Sequence, residues 1–196
     1  MAQKKKIAKK KAARKKAANK KAGPRRQNVA DPWRRIDFEM LEQEQTKWCW
    51  AAVGASVALY YEPHSPWTQC RVANGQLERN DCCGNGAAGP CNRYSFLGSV
   101  LDLVECLDSW DVGNSATFQE VRTEIDRERP LCFRVVWNGG GAHFATIVGY
   151  LLNGGPAGRM IAIEDPFWGP TKIPFDNFPA DYQIHGNWAD TYYTTH

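Results

Sequence analysis

Three residues of this sequence, Cys49, His143 and Asp165, have types and surroundings that suit a thiol-based reaction. Cys49 is expected in the first turn of a helix, where unpaired N–H groups and the positive end of the macrodipole favour the thiolate, the form that attacks. A histidine that removes the thiol proton and an acid that fixes the histidine tautomer would complete an activated-thiol triad. The alternative is a buried cysteine that acts as a small hydrophobe in a tryptophan-rich core.

His143 and Asp165 each stand at the end of a predicted strand. Residues 138–142 read Asn-Gly-Gly-Gly-Ala, and these glycines would let a backbone or a substrate approach His143 closely. Asp165 ends the apolar run MIAIED and precedes Pro166, so its carboxylate is expected at the sheet edge. A single Asp or His at a strand end is usually structural, so spacing alone leaves the triad a hypothesis. The other histidines lie in polar or turn-rich surroundings: His64, His185 and His196.

Gln43 lies six residues before Cys49 and offers a side-chain amide. Such an amide can donate to a developing oxyanion alongside the Cys49 backbone N–H. Gln45 competes for this role on composition. Gln43 could instead be an exposed polar residue of the stretch EMLEQEQ, whose acidic members are interpreted as solvated surface: Glu39, Glu42 and Glu44.

Apolar residues at helical spacing predict a first helix after Thr46. Thr46 is its expected N-cap and Pro63 its stop, which places Cys49 in the first turn. The apolar positions are Trp48, Ala51, Ala52, Ala55 and Leu59. The following stretch, residues 65–93, is predicted to be rich in loops and holds four cysteines.

Two more helices are predicted downstream, and after them the spacing of apolar residues changes from that of helices to that of strands. The second helix has its apolar face at Leu97, Val100, Leu101, Val104 and Leu107, and the third opens with a capping box from Thr117 to Glu120 and ends before Pro130. Strands are predicted over residues 131–137, 142–152, 159–166 and 188–194. The expected fold class is therefore α+β, with a helical half packed on an antiparallel β-sheet half.

Charge divides the 196 residues into two unlike parts. Residues 1–30 contain 13 of the 25 Lys and Arg and no Asp or Glu, so residues 31–196 carry 12 basic and 21 acidic side chains, a formal charge of −9. The low-complexity Lys and Ala of residues 1–26 offer one Ile and no aromatic residue to bury, which predicts that residues 1–30 form a disordered tail. The tail could contact nucleic acid or an anionic surface by releasing counterions, or it could be a solvated extension or sorting segment.

Three segments in this order resemble the papain-like cysteine proteases, specifically the bacterial branch related to the avirulence protease of plant pathogens. They are QEQTKWCWAA, GGGAHFATIVGY and IEDPFWG, and the resemblance spans about residues 39–180. It implies a papain-like protease domain over residues 31–196. It also implies that Cys49 is the nucleophile, His143 the base, Asp165 the third member and Gln43 part of the oxyanion hole. Papain has Asn in the third place, whereas this branch has Asp, as here.

The remaining cysteines suggest disulfides. If Cys49 stays free, the cluster Cys70, Cys82, Cys83 and Cys91 is an even set with three possible pairings that the sequence does not distinguish. Zinc is the alternative, but the spacing lacks paired Cys-x2-Cys knuckles, so disulfides are favoured. Cys106, expected on a helix, and Cys132, expected on a strand, are interpreted as buried thiols.

The expected localisation rests on two targeting segments that are not found in the sequence and on the expected disulfides. No stretch approaches the roughly 20 apolar residues of a membrane-spanning helix, and the basic start is not followed by an apolar core of about 7–15 residues. We therefore expect neither a transmembrane segment nor a standard signal peptide. Because two disulfides would indicate an oxidising compartment, export by a non-classical, effector-like route is favoured over a cytoplasmic location.

The leading hypothesis is a cysteine endopeptidase that acts on a protein or peptide substrate through Cys49, His143, Asp165 and Gln43, with no metal and no cofactor. One alternative is an acyltransferase or transglutaminase-like enzyme, in which an amine and not water resolves the acyl-enzyme. Another is a nucleic-acid- or polyanion-binding protein with an inactive protease-like domain. The substrate pocket is not identified, but five aromatic residues are candidates for lining it: Trp67, Trp110, Trp137, Phe167 and Trp168.

Overall fold

The computed structural model describes residues 32–196. The α-helices of this range are α1 (Cys49–Tyr61), α2 (Gln69–Gln76), α3 (Cys82–Asn85), α4 (Leu97–Leu103) and α5 (Phe118–Asp126). The strands are β1 (Arg34–Arg35), β2 (Leu107–Val112), β3 (Leu131–Trp137), β4 (Ala142–Leu151), β5 (Met160–Glu164), β6 (Thr171–Pro174) and β7 (Gly186–Thr194). None of these helices is long and apolar enough to cross a membrane. The predicted basic tail, residues 1–30, lies outside the described residues.

All strands pair in one antiparallel sheet. The order is β2-β7-β3-β4-β5-β6, and β1 adds to β4. The central hairpin of β3 and β4 turns through Gly140 and Gly141, whose φ angles of 91° and 85° lie in the left-handed region that favours glycine. Helices that pack on an antiparallel sheet confirm the predicted α+β class.

Helix α1 is the buried centre of the helical half. Residues 49–58 are all buried, and the helix packs against β4, α2 and α4. At Gly54 the helices approach so closely that a Cβ would lie 2.3 Å from Val100 Cγ1. Any larger residue there would have to move a close-packed neighbour, so the position of α1, and of Cys49 at its start, is fixed by packing.

The elements with strong local signals agree with the sequence prediction. The capping box is confirmed, because Thr117 Oγ1 accepts from Glu120 N at 3.2 Å and the Glu120 carboxylate accepts from Thr117 N at 2.7 Å. The strand over residues 131–137 has the predicted bounds. The strands predicted at 142–152, 159–166 and 188–194 are also present, with ends that differ by one or two residues.

The first helix begins later than predicted. Its N-cap position is held by Trp48 without a side-chain hydrogen bond, and Thr46 Oγ1 instead accepts from Asn92 Nδ2 at 2.9 Å. Thr46 as N-cap was therefore wrong, because its hydroxyl bonds the segment after the cysteine cluster. The placement of Cys49 in the first turn is confirmed.

The second helix is shorter than its apolar pattern predicts. It ends at Leu103, and Glu105 then adopts a left-handed φ of 60° that turns the chain away. Leu107 consequently opens β2. Cys106 lies between α4 and β2, so its predicted position on a helix was wrong. The sequence also did not predict β1, β2 or β6, and the stretch read as loop-rich contains α2 and α3.

Candidate active site

Cys49 is the first residue of α1 and is 5% exposed. Its two neighbours, Trp48 and Trp50, are fully buried and tie it to the segment after α3. The indole N–H of Trp48 donates to Cys91 O at 2.8 Å, and that of Trp50 donates to Arg93 O at 2.9 Å. The sequence Trp-Cys-Trp therefore fixes the backbone on both sides of the thiol.

His143 is the second residue of β4, where it pairs with Val135 of β3. Its ring is buried, and Nε2 lies 2.9 Å and 3.0 Å from the two carboxylate oxygens of Asp165. The Cys49 side chain also interacts with the His143 ring. Since Asp165 engages Nε2, Nδ1 is the ring nitrogen left to face the thiol. The structure thus brings together Cys49, His143 and Asp165, three residues that the sequence singled out.

Asp165 follows directly after β5 and accepts hydrogen bonds from several groups. Phe167 N and Trp168 N donate to Oδ1 at 2.7 Å and 2.9 Å, and the Tyr182 hydroxyl donates to Oδ2. A carboxylate with this many donors can stay ionised in a buried position. Burial opposes the charge, but the hydrogen bonds from His143 and Tyr182 and from the backbone hold the pKa of Asp165 below its usual value.

The same contacts set the protonation of His143. Burial acts to lower its pKa, but the hydrogen bonds to Asp165 and Cys49 and the negative charge on those partners outweigh it and raise the pKa from 6.5 to about 9. A histidine held in this way by a carboxylate can exchange a proton with the thiol beside it. By contrast, burial raises the pKa of the free thiols of Cys106 and Cys132 to about 11 and about 12.

Aromatic rings enclose the His143 imidazole. Trp137 stacks on it with ring centroids 6.1 Å apart, and Trp168 meets it edge-on at 4.8 Å. Tyr182 in turn stacks on Trp137 at 6.1 Å. These rings shield the histidine–carboxylate hydrogen bond from water, where it would be weaker.

A pocket of about 350 Å³ lies beside the thiol. Its lining consists of Cys49, Tyr94, Ser95, Phe96, Arg134, Val136, Gly141, Ala142 and Phe144. None of the five aromatic residues considered from the sequence belongs to this lining. Of those five, Trp137 and Trp168 contact His143 instead. Tyr94, Phe96 and Phe144 are the aromatic residues of the pocket.

Gln43 lies on the loop before α1, and its position is set by Pro166. Gln43 N donates to Pro166 O at 2.8 Å, which joins this loop to the residue after Asp165. The side-chain Nε2 donates to Gln45 O at 2.8 Å. Because an amide nitrogen has two N–H groups, one remains for another acceptor. Gln45, the competing candidate, lines a different pocket, next to Trp48 and the cysteine cluster.

The four clustered cysteines form two disulfides. Cys70 is bonded to Cys83 and Cys82 to Cys91, which resolves the pairing that the sequence left open. The sulfurs are therefore not available as zinc thiolates, and the favoured disulfide interpretation is confirmed. The predicted burial of the thiols of Cys106 and Cys132 is confirmed as well.

Tyr182 is the site residue that the sequence analysis missed. It is 1% exposed and lies in the segment between the turn at Phe175–Asn177 and β7. That segment has no helical or strand periodicity, so no local pattern indicated that its hydroxyl reaches Asp165. A tyrosine 17 residues after an acid carries no such signal by itself.

Comparison with known proteins identifies the family. The family described as papain-like cysteine protease AvrRpt2 matches residues 32–183. Among solved structures, the peptidase domain of Streptococcus ComA, a bi-functional ABC transporter involved in a quorum sensing pathway, is similar with a TM-score of 0.52 and 16% identity. That similarity covers 81% of this chain and 99% of the ComA domain, and it shows a shared fold. No curated protein sequence gives a significant match. Since the family match covers most of the chain, the protein belongs to the papain-like cysteine protease AvrRpt2 family and is a cysteine protease.

Proposed function

We propose that this protein is an endopeptidase in which Cys49 is the nucleophile, His143 the base and acid, and Asp165 the group that orients His143. The observation that carries the proposal is the hydrogen bond between His143 and Asp165, with the Cys49 side chain interacting with the same imidazole, beside a pocket that Cys49 itself lines. It supplies a thiol, a proton acceptor and an orienting carboxylate, which are the parts an activated nucleophile needs. The proposed steps need neither a metal nor a cofactor.

In the first half-reaction, Cys49 Sγ bonds the carbonyl carbon of the scissile peptide, and the thiol proton resides on His143. The tetrahedral oxyanion accepts from the Cys49 backbone N–H and from the second N–H of the Gln43 amide. Collapse of this intermediate breaks the C–N bond. His143 gives its proton to the departing amine, and a thioester on Cys49 remains.

In the second half-reaction, His143 takes a proton from a water molecule as the water oxygen bonds the thioester carbon. The C–S bond then breaks, the peptide acid leaves, and the proton returns to the Cys49–His143 pair. Trp137 and Trp168 shield the bond between His143 and Asp165 throughout both half-reactions. Because the bond between Nε2 and Asp165 is kept, Nδ1 of His143 stays directed at the reacting atoms.

The thiol is tested first, because that test needs no substrate. Limiting iodoacetamide near neutral pH, followed by intact-mass analysis and peptide mapping, should label Cys49 before the buried Cys106 and Cys132. The rate should fall markedly in His143→Ala. It should not change in His64→Ala, a matched control at an exposed histidine. Labelling of Cys49 at an unchanged rate in His143→Ala would overturn its proposed activation.

Gln43 is tested by comparing Gln43→Ala with Gln45→Ala. Removal of one oxyanion donor lowers kcat by about 100- to 1000-fold. We expect that loss in Gln43→Ala, with the rate of Cys49 alkylation kept, because alkylation forms no oxyanion. Gln45→Ala should retain most of its activity. Equal losses in the two variants would contradict the assignment of Gln43.

The proposed hydrolysis is distinguished from acyl transfer by its product. A peptide library incubated with the protein should yield free carboxylic acids, and Cys49→Ala should yield none. Addition of a primary amine tests the alternative. If amide products form and no peptide acid is found at any sequence, the acyltransferase alternative is correct and the endopeptidase proposal is wrong.

A further inference from the structure

The pocket beside Cys49 combines apolar walls with a cationic residue. Tyr94 and Phe96 form an exposed wall, being 69% and 73% exposed, and Val136 and Phe144 contribute apolar surface from β3 and β4. Arg134 is the charged residue of the lining. The volume of about 350 Å³ is large enough for one extended side chain of a bound peptide.

Arg134 is held in place from behind by Asp190. The two residues are Cα partners on β3 and β7, and Arg134 Nε donates to the Asp190 carboxylate. Asp190 is 5% exposed and also accepts from Gly113 N at 3.0 Å and from the Tyr192 hydroxyl at 3.3 Å. The anion is therefore fully engaged on the sheet side, and the guanidinium is the part of this pair that lines the pocket.

Several donors of Arg134 remain unused. A guanidinium has five N–H groups. In the part of the chain that the structure describes, Arg134 bonds the Asp190 carboxylate through Nε and interacts with the Tyr192 hydroxyl. These two cannot accept from all five N–H groups. Because Arg134 lines the pocket, its remaining donors are available to an occupant, and a planar pair of N–H groups matches the geometry of a carboxylate.

The charge around the pocket differs from that of the rest of the domain. Residues 31–196 carry a net −9, yet no carboxylate belongs to the pocket lining. A second cation is close by, because Lys47 Nζ lies 5.1 Å from the centre of the Tyr94 ring. Since Asp190 already pairs with Arg134, the attraction for an anionic occupant comes from the unused donors of Arg134 together with Lys47.

We propose that Arg134 makes this pocket selective for a substrate glutamate, whose apolar stem lies along Tyr94, Val136 and Phe144 and whose carboxylate accepts from the guanidinium. The inference deepens the proposed peptidase function and rests on it for the turnover measurements. It excludes lysine and arginine from the same position, because they would place like charges together. It also distinguishes glutamate from its neutral isostere glutamine, because a charge-assisted hydrogen bond is roughly twice as strong as a neutral one.

The test uses a positional library of internally quenched peptides. Each of three positions on either side of the scissile bond carries Glu, Gln, Met or Lys in turn. At one position we expect kcat/KM to be about tenfold higher for Glu than for Gln, and lowest for Lys. Arg134→Met should abolish the preference for Glu over Gln, Arg134→Lys should keep part of it, and Arg71→Met, an exposed arginine outside the pocket, should leave it unchanged.

Two controls separate misfolding and loss of catalysis from loss of selectivity. Because Arg134→Met leaves Asp190 without its cation, the double variant Arg134→Met/Asp190→Asn is measured too, and Cys49 alkylation rates show whether each variant retains the site. Binding of the same peptides to Cys49→Ala, followed by fluorescence anisotropy, tests the pocket without turnover. If binding to Cys49→Ala depends on Arg134 but the wild type cleaves none of the peptides, the pocket assignment is supported and the peptidase proposal is contradicted. A Glu/Gln ratio near one in both assays, or one unaffected by Arg134→Met, overturns the inference.

Discussion

At the residue scale, His143 sets the alkaline limit of the proposed reaction. Its pKa is raised from 6.5 to about 9, so the folded protein favours the imidazolium. The stability that this gives is complete below about pH 6.5 and is lost as the pH rises through about 9. In the proposed reaction His143 gives a proton to the departing amine, and this proton is lost over the same pH range. We therefore expect kcat/KM for peptide cleavage to fall as the pH rises through about 9.

Asp165→Asn tests the cause of that limit. The carboxylate is one of the groups that raise the pKa of His143, and the amide would remove both its charge and its fixed choice of tautomer. We expect the alkaline limb of kcat/KM to move to lower pH and kcat to fall by about 100-fold or more. An alkaline limb at the same pH in wild type and Asp165→Asn would show that another group sets it.

Tyr182 is a positioning residue, because it contacts Asp165 and not the reacting atoms. In Tyr182→Phe the ring still packs on Trp137, but Asp165 loses one of the donors that hold its pKa low. We expect about a tenfold loss in kcat/KM, the size of one hydrogen bond to a charged group. Because a depressed carboxyl pKa gives stability that is lost as the pH falls through it, the acid limb should also move to higher pH.

The matched control is Tyr193→Phe, a half-buried tyrosine on β7. A purely structural role for Tyr182 would lower the melting temperature and leave the acid limb in place. If the two phenylalanine variants have the same pH profile, Tyr182 does not position Asp165.

At the scale of elements, the disulfide Cys82–Cys91 supports the segment that carries Cys49. Cys91 O accepts from the buried Trp48 indole, and the next residue, Asn92, accepts from Lys47 N at 3.0 Å. Replacement of both cysteines by serine should lower the free energy of unfolding by about 2–3 kcal/mol, from the chain entropy of the closed loop. It should also slow Cys49 alkylation, because the loop before α1 loses its anchor. Urea unfolding and alkylation kinetics measure the two effects.

The second disulfide provides the comparison. Cys70–Cys83 joins α2 to α3 and makes no direct contact with the Trp-Cys-Trp segment through the hydrogen bonds described above. The variant Cys70→Ser/Cys83→Ser should have a similar loss of stability, because it closes a loop of similar length, but an unchanged alkylation rate at low denaturant. Equal slowing of alkylation in both double variants would contradict the specific anchoring role.

The elements that the sequence predicted are those whose signals are local. The capping box at Thr117 and the apolar run of β3 need only neighbouring residues to specify them. The end of α4 does not, because Leu107 continues the apolar spacing and only the left-handed turn at Glu105 shows where the helix stops. Strand β2 was missed for a related reason. Its residues after Leu107 are all exposed, so the sequence shows no alternation between a buried and an exposed face.

At the scale of the whole molecule, the sheet topology assembles the site from distant parts of the chain. Cys49 starts a helix of the first half, His143 is the second residue of the central strand β4, and Asp165 follows the adjacent strand β5. The residue types and their order made these three candidates from the sequence. Their contacts could not be derived, because they depend on the packing of α1 against β4. The pocket beside Cys49 is less predictable still, since Arg134 becomes a pocket residue only through the pairing of β3 with β4 and β7.

The role of the basic tail stays a prediction. The contrast in charge between residues 1–26 and residues 31–196 provides a test of it. Residues 31–196, at −9, would repel a polyanion, so binding to DNA or heparin has to come from the 13 basic residues of positions 1–26. We expect the full chain to bind a short DNA duplex with an affinity that falls linearly on a log–log plot against salt. Deletion of residues 1–26 should abolish this binding. It should leave kcat/KM for a short peptide unchanged, because the family match begins at residue 32. DNA binding that survives the deletion would place the polyanion contact on the protease domain instead.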